Sequence, residues 1–166
     1  MNKVFKVGFA LSVVLLFAGF TSSCQQNQVI ENEKLQLSTS IPTEGNSWVI
    51  NGSESNSELI KNGGVKNWKE TETIIRTYFK TEQTGNLNIA IYAKVVSGSS
   101  EMKITCKNRT EILTIENTDW DTIPVGTFQI ENPGYHFIEI QGLKKSGEFF
   151  PEIESILIGG EVTNGK

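Results

Sequence analysis

The sequence predicts an all-β fold, a two-sheet antiparallel β-sandwich of the jelly-roll type. The main observation is strict alternation of apolar and polar residues, and in its clearest segment every second position is apolar: Leu87, Ile89, Ile91, Ala93 and Val95. A period of two residues is typical of a strand with one buried face. Many short segments of this kind, with turn residues between them and no convincing long helix, favour a sandwich over an α/β fold.

Six further segments alternate in the same way and are predicted strands: 73–80, 102–107, 112–115, 125–130, 135–141 and 153–158. Glycine, asparagine, serine and proline clusters separate them, as turns require. Residues 55–62 are the one helical candidate, a turn or two ended by Gly63 and Gly64. We expect two sheets of about four or five strands each, with jelly-roll connections preferred.

The first two dozen residues have the parts of a secretory signal. Lys3 and Lys6 precede an apolar run over 7–20, and small residues lead to Cys24. The run is shorter than the roughly 20 apolar residues that a membrane span needs. The alternative is an uncleaved membrane helix with an ordinary thiol at Cys24. Thr21-Ser22-Ser23-Cys24 resembles the lipobox of bacterial lipoproteins, which implies cleavage before Cys24 and lipidation of its thiol, with palmitate among the acyl chains.

The expected organisation is a signal peptide over 1–23, a lipidated tether over 24–34 and a β-sandwich over 35–166. Several acyl chains anchor a protein almost permanently. We therefore expect anchoring at the outer membrane, facing either the periplasm or the outside. Removal of Lys3 and Lys6 with the signal changes the net charge from −4 to −6. Nucleic acid is excluded as an expected partner, because phosphate binding needs a basic surface.

Cys24 and Cys106 are the two cysteines, so lipidation of the first leaves no intramolecular disulfide. Cys106 alternates with apolar residues in a predicted strand, and we expect a buried, inert thiol. His136 is the single histidine. It shares a predicted strand face with Ile138 and Ile140, which favours a packed side chain over a catalytic one.

The candidate ligand-binding residues begin with the two aspartates of the chain, Asp119 and Asp121, which flank Trp120. Aspartates in loops cap turns, and this is one interpretation. The other is that Trp120 offers an apolar face while a carboxylate accepts hydroxyl hydrogen bonds or coordinates Ca²⁺. Sugars need that mixture, because their rings carry apolar patches and hydroxyls. No cofactor other than this Ca²⁺ is indicated.

Two more tryptophans lie beside predicted turns. Trp48 precedes Val49 and Ile50, which favours the core, whereas Trp68 follows a polar, glycine-led loop and is equally compatible with core and surface. Asn67 and Arg76 are candidate polar contacts for a sugar. Tyr78, Tyr92 and Arg76 project opposite the apolar face of their strands and either line a groove or cover a sheet.

Several motifs together resemble the family called domain of unknown function 5077: Ile41-Pro42, Gly45-Asn46-Ser47-Trp48, Gly64-Val65-Lys66-Asn67-Trp68, Tyr78-Phe79, Gly85-Asn86-Leu87, Val125-Gly126, Pro133-Gly134-Tyr135, Ile138-Glu139-Ile140-Gln141-Gly142 and Ile156-Leu157-Ile158-Gly159-Gly160. The resemblance covers nearly all of the expected mature chain. It implies a secreted or lipidated bacterial domain similar to carbohydrate-binding, galactose-binding-like β-sandwiches. Members often precede a larger domain of suspected glycan-related function. The expectation for this chain is therefore that it either delivers glycan affinity alone or works beside a separately encoded enzyme.

The first functional hypothesis is a noncatalytic carbohydrate-binding lipoprotein, in which Trp68 and Trp120 stack on sugar and four side chains make polar contacts: Asp119, Asp121, Asn67 and Arg76. The second is an interaction subunit that docks a partner protein through an apolar patch made by Tyr135, Phe137, Phe149 and Phe150. An enzyme is the weakest hypothesis. The sequence has no helix-borne histidine pair, phosphate loop or nucleophile elbow, and its 17 glutamates make chance carboxylate pairs unavoidable.

Overall fold

A computed structural model describes residues 35–163 of the chain. These residues lie within a compact unit, Lys34–Lys166. The predicted signal peptide 1–23, the predicted lipidation site Cys24 and the predicted tether 24–34 lie outside the described residues. Within residues 35–163, no helix has the length and apolarity to cross a membrane.

Eleven strands form the described part of the chain, together with a four-residue helix α1 at Asn56–Leu59 and a 3₁₀ turn at Glu161–Thr163. The strands are β1 Thr39–Pro42, β2 Ser47–Asn51, β3 Ile60–Lys61, β4 Gly64–Val65, β5 Ile74–Thr81, β6 Gly85–Lys94, β7 Ser100–Cys106, β8 Arg109–Ile115, β9 Asp121–Ile130, β10 Gly134–Lys145 and β11 Glu152–Gly160.

The strands make two antiparallel sheets. The first has the order β3-β4-β11-β6-β9, and β1 also pairs with β11. The second has the order β2-β5-β10-β7-β8. The predicted fold class, a two-sheet antiparallel β-sandwich of jelly-roll type, is confirmed. The seven predicted strands correspond to β5–β11, whereas β1–β4 have five residues or fewer and are too short to show a convincing period.

The helical candidate at 55–62 is confirmed over half its length. Ser55 caps α1, and its backbone N–H donates to the Glu58 carboxylate at 3.0 Å. The helix ends at Leu59 because β3 pairs with β4, with Ile60 opposite Val65. A hairpin therefore replaces the second helical turn.

The core lies between the sheets and is formed by the alternating positions. Leu87, Ile89 and Ile91 of β6 are fully buried, as are Ile138 and Ile140 of β10. Full burial of an aliphatic side chain stabilises the fold by about 1.5–3 kcal/mol. The opposite faces of both strands remain available at the protein surface.

The chain crosses from the first sheet to the second between β1 and β2. Thr43, at the start of this crossing, is buried, and its hydroxyl donates to the Ile153 carbonyl at 2.7 Å. At the other end, the Asn46 carbonyl accepts a hydrogen bond from Tyr78 N–H at 2.8 Å. These bonds tie the corner to both sheets and hold the residues around it in place.

The outer edges of the sandwich carry side-chain hydrogen bonds. At β2, Val49 N–H donates to the Asn56 side-chain carbonyl at 2.5 Å. At β9, the Thr127 carbonyl accepts from the Arg109 guanidinium at 2.8 Å, and Pro124 lacks an N–H altogether. At each of these two edges, a main-chain group with which an added strand would pair is therefore already hydrogen-bonded or absent.

Candidate ligand-binding surface

An open groove lies at the corner where the chain passes from β1 to β2. Its volume is ≈ 660 Å³, within the range of small-molecule sites, and its lining is mostly apolar. Eight residues line it: Ile41, Pro42, Asn46, Trp48, Tyr78, Phe79, Lys80 and Tyr135. We call it the corner groove. Its walls combine aromatic rings with an amide, an ammonium and two phenol hydroxyls.

Trp48 is on the surface because its neighbour Ser47 is in the core. The Ser47 hydroxyl lies 2.8 Å from the Thr77 hydroxyl, and both residues are buried. Alternation along β2 then turns Trp48 outward, where it is 45% exposed. The expectation that Trp48 belongs to the core was wrong, because Ser47 and the partly buried Val49, which packs against the core, form the inward face of β2 and leave Trp48 on the outward face.

The rings continue across the outer face of the second sheet. Trp48 packs edge-on against Tyr78 with ring centroids 5.5 Å apart, and Tyr78 lies 5.8 Å from Phe137. We call Trp48, Tyr78 and Phe137 the aromatic row. Tyr135, which is 82% exposed, stands beside it on β10. Aromatic rings at these separations support one another while leaving faces or edges open to solvent.

Arg76 lies under the far end of the aromatic row. Its guanidinium carbon is 4.1 Å from the Phe137 ring centroid, and its Nε donates to the Glu139 carboxylate at 3.2 Å. Hydrogen bonds from Arg76 to Tyr78 and to Glu139 raise the pKa of Arg76. The charge is thus permanent and already paired with a carboxylate.

Trp68 is fully buried, with 0% of its surface exposed, which corrects its prediction as a sugar-stacking residue. Its ring packs against Phe150 with centroids 5.0 Å apart, and its indole N–H donates to the Glu70 carbonyl at 2.8 Å. The polar residues of its loop, Asn67 and Lys69, are exposed instead. The loop turns inward at Asn67, whose φ of 57° asparagine tolerates better than most residues.

Trp120 is half-buried on the outer face of the first sheet. It stacks on Tyr92 with centroids 5.3 Å apart and an interplanar angle of 22°. The Lys94 ammonium lies 5.1 Å from the same ring. Packing against its own sheet thus covers part of the indole, while the rest remains at the surface.

Both aspartates beside Trp120 are exposed. The Asp121 carboxylate accepts from Thr122 N–H at 2.7 Å, so this aspartate does cap the local backbone. The loop is held by Asn117, whose side-chain amide donates to the carbonyls of Ala93 and Asp119 at 2.9 and 2.8 Å. In the portion of the chain that the structure covers, no group of three or more His, Cys, Asp or Glu is placed to hold a metal ion.

The six predicted ligand contacts therefore do not converge. Trp120, Asp119 and Asp121 share one loop beside the first sheet, Arg76 lies on the outer face of the second sheet, and Asn67 lies in an exposed turn next to the buried Trp68. The hydrophobic core separates the two outer faces. Only Arg76 belongs to the surroundings of the corner groove.

Cys106 and His136 are packed side chains, as expected. Cys106 is a free, buried cysteine, and burial raises the pKa of its thiol to about 11. His136 packs against Phe79, and its Nε2 donates to the Asn132 carbonyl at 3.0 Å. Burial lowers the pKa of His136, and the nearby charge of Lys107 lowers it further.

Comparison with known proteins places this architecture in a family. The family model for a domain of unknown function, DUF5077, matches residues 41–163. The chain belongs to the DUF5077 family. No curated protein matches the sequence.

Solved structures share the fold of this DUF5077 domain. A family 35 carbohydrate binding module from an environmental isolate has a TM-score of 0.56 at 11% identity, over 75% of this chain and 95% of that one. The CBM36-1 domain of a multidomain xylanase from the hindgut metagenome of Trinervitermes trinervoides has a TM-score of 0.52 at 11% identity, over 74% and 96%.

A larger protein also contains the fold. The GH26-CBM35 β-(1,4)-mannanase of Podospora anserina has a TM-score of 0.53 at 15% identity, over 72% of this chain. The match spans 27% of the mannanase. At such identities, the likeness establishes a β-sandwich of the kind found in carbohydrate-binding modules.

Proposed function

We propose that this DUF5077 domain is a noncatalytic carbohydrate-binding module and that the corner groove is its binding surface. The observation that carries the proposal is that the exposed rings of Trp48 and Tyr135 and the half-buried ring of Tyr78 line one open and mostly apolar groove. Sugar rings present patches of C–H groups that pack on aromatic faces, and they displace water from them. A shared fold with carbohydrate-binding modules supports the proposal.

Polar groups at the groove suit the hydroxyls of a sugar. The Asn46 side-chain amide donates to the Pro42 carbonyl at 2.9 Å, which orients it and leaves its carbonyl oxygen as an acceptor. The hydroxyls of Tyr78 and Tyr135 and the Lys80 ammonium are the remaining polar groups of the lining. Since the groove is open, affinity is expected to be modest.

Affinity gel electrophoresis with a panel of soluble polysaccharides tests this proposal. Retardation by at least one polysaccharide is expected, and Trp48→Ala is expected to weaken it about tenfold, which corresponds to 1.4 kcal/mol. Trp120→Ala is the matched control, because it removes an indole from the opposite sheet. Retardation unchanged by Trp48→Ala but abolished by Trp120→Ala would assign binding to the Trp120 loop, and no retardation by any polysaccharide would refute the proposal.

The Trp120 loop remains the alternative ligand contact. Asp119 and Asp121 lie beside a half-buried indole, which is the combination of carboxylate and apolar surface that sugar recognition requires, whereas Ca²⁺ coordination would need further oxygen ligands beside these two aspartates. Asp119→Ala and Asp121→Ala, tested in the same gels with and without a chelator, separate these two roles from a purely structural loop.

We also propose that the domain is a lipoprotein anchored through Cys24 at the outer membrane. The support is the signal and the lipobox-like Thr21-Ser22-Ser23-Cys24. Cys24→Ala is expected to abolish incorporation of labelled palmitate and to release the protein from the membrane pellet. A variant that stays in the pellet without lipid would contradict this assignment.

A second candidate function is the docking of a partner protein, including a separately encoded enzyme, on the outer face of the second sheet. Tyr135 and Phe137 are exposed, as predicted, and Phe137 is 39% exposed. Phe150 is fully buried, so it does not belong to the predicted patch. Capture of one specific envelope protein by the wild-type domain, lost with Phe137→Ser but retained with Trp48→Ala, would favour docking over sugar binding.

A further inference from the structure

The charges and ring geometry of the corner groove point to the class of glycan. Resting on the proposed function, we infer that the groove binds an internal stretch of a soluble, uncharged polysaccharide. Acidic glycans, chain ends and crystalline polysaccharide surfaces are disfavoured ligands. Three properties of the groove and its surroundings support this inference separately.

The first property is compensated charge. Lys80 is the one lysine or arginine among the lining residues, and its ammonium lies 3.1 Å from the Glu82 carboxylate. Arg76, at the end of the aromatic row, is paired with Glu139. No unpaired cation therefore faces the groove from the lining residues or from Arg76, where a uronate or sulfate group would need one. The whole chain carries a net charge of −4, which repels polyanions.

The second property is the length of the aromatic surface. The centroid steps of the aromatic row are 5.5 Å from Trp48 to Tyr78 and 5.8 Å from Tyr78 to Phe137, and Tyr135 extends the surface on β10. Each step is comparable with the length of one sugar ring. A ligand that contacts Trp48 and the β10 rings together must therefore contain several sugar units.

The third property is shape. The groove is open and not an enclosed cavity, which suits a chain lying along it better than a terminal sugar held on all sides. The rings are not coplanar, with interplanar angles of 75° for Trp48 and Tyr78 and 59° for Tyr78 and Phe137. A flat crystalline face contacts coplanar rings best. A single chain, which can twist, fits inclined rings.

Isothermal titration calorimetry tests the inference, with the protein expressed as the chain without its predicted signal peptide. The neutral probes are galactomannan, xyloglucan and mixed-linkage β-glucan, and the acidic probes are polygalacturonate and alginate. We expect binding to at least one neutral polymer, with an affinity that changes less than about twofold between low and high salt, because no ionic contact is released.

Oligosaccharides of the bound polymer, from disaccharide to hexasaccharide, measure the length of the site. Affinity is expected to rise at least about tenfold along the series, and a reducing-end-blocked oligosaccharide is expected to bind as well as the unblocked one. Lys144→Ala, a charge-removing variant at the opposite end of β10 from Tyr135 and outside the groove lining, is expected to leave neutral binding within about twofold. The amorphous form of an insoluble glucan is expected to retain the protein better than its crystalline form.

The two levels of the proposal fail in different ways. If no carbohydrate binds, the proposed function itself is wrong. Binding that depends on Trp48 but favours the acidic probes, weakens steeply with salt, or is as tight for the disaccharide as for the hexasaccharide would overturn this inference. The carbohydrate-binding function would then stand.

Discussion

Trp48 and Trp68 have similar sequence surroundings and opposite environments. Each follows a glycine-led turn and an asparagine, yet Trp48 is 45% exposed beside the corner groove and Trp68 is 0% exposed against Phe150. The local sequence does not decide between these outcomes. Trp48 is placed outward by its inward-facing neighbours Ser47 and Val49. Trp68 is placed by the ring of Phe150 and the carbonyl of Glu70.

The difference shows that an indole in a polar loop is not by itself evidence of a binding site. Trp68 packs in the interior, and its backbone carbonyl accepts a hydrogen bond from Phe150 N–H at 2.8 Å. Trp48 contributes one edge to the aromatic row on the outer face of the second sheet. The two tryptophans should therefore separate stability from binding.

Trp68→Ala should produce the largest loss of stability. Removal of a fully buried aromatic side chain costs about 3–5 kcal/mol, measured by urea unfolding followed by circular dichroism. Trp48→Ala is the control and should change the unfolding free energy by no more than about 1 kcal/mol. Equal losses in both variants would show that Trp48 is also a core residue.

Gly142→Ala should disturb the ring on which Trp68 packs. A Cβ at Gly142 would lie 2.5 Å from two ring carbons of Phe150, far inside van der Waals contact. Overpacking of this kind costs about 1–3 kcal/mol. In a Phe150→Leu background, where the ring is gone, Gly142→Ala should lower the unfolding free energy by less than it does in the wild type. An equal loss in both backgrounds would contradict the predicted clash.

Ser47→Ala should destabilise the fold at the inward face of β2, opposite Trp48. It leaves the buried Thr77 hydroxyl without its partner, and the expected cost is about 1–2 kcal/mol. Replacing both residues, as Ser47→Ala with Thr77→Val, should cost less than the sum of the single changes. Thermal unfolding of the four proteins completes the cycle, and strict additivity would mean that the two hydroxyls do not interact.

The smallest expected effect is the pH dependence from His136, on the inward face of the strand that carries Tyr135. Burial lowers its pKa in the folded state, so between that value and the unfolded pKa of about 6.5 the unfolded chain binds more protons. The contribution of neutral His136 to the free energy of unfolding is full above the pKa of the unfolded chain. It is lost as the pH falls toward the lower pKa of the folded protein. Unfolding free energies of wild type and His136→Gln at a series of pH values should converge on acidification, and parallel curves would contradict this.

The fold was predictable because long strands repeat one signal. β6 carries four of the five alternating apolar residues of 87–95, and β5–β11 are long enough for the period to stand out. β1–β4 were not predicted, since strands of two to five residues are held by their partners. Asp119, Trp120 and Asp121 were predicted as a unit and remain one loop.

The corner groove was less predictable, because residues from β1, β2, β5 and β10 meet there only after the sandwich forms. Tyr78 was recognised as outward from its alternation in β5. Trp48 lies outward because Ser47 and Val49 share the inward face of β2, and Ser47 bonds there to Thr77, 30 positions away. An inward serine does not stand out in a pattern of apolar residues, so the sequence did not show which face of β2 is buried.

The covered edges of the two sheets have a consequence for crowding. At the β2 edge, the Asn56 side chain accepts a hydrogen bond from Val49 N–H. At the β9 edge, Arg109 donates to the Thr127 carbonyl, and Pro124 has no N–H. A neighbouring copy brought close on a surface then finds fewer free main-chain donors and acceptors at β2 and β9 with which to pair a strand. Extension of the sheets from one copy to the next is hindered at these two edges.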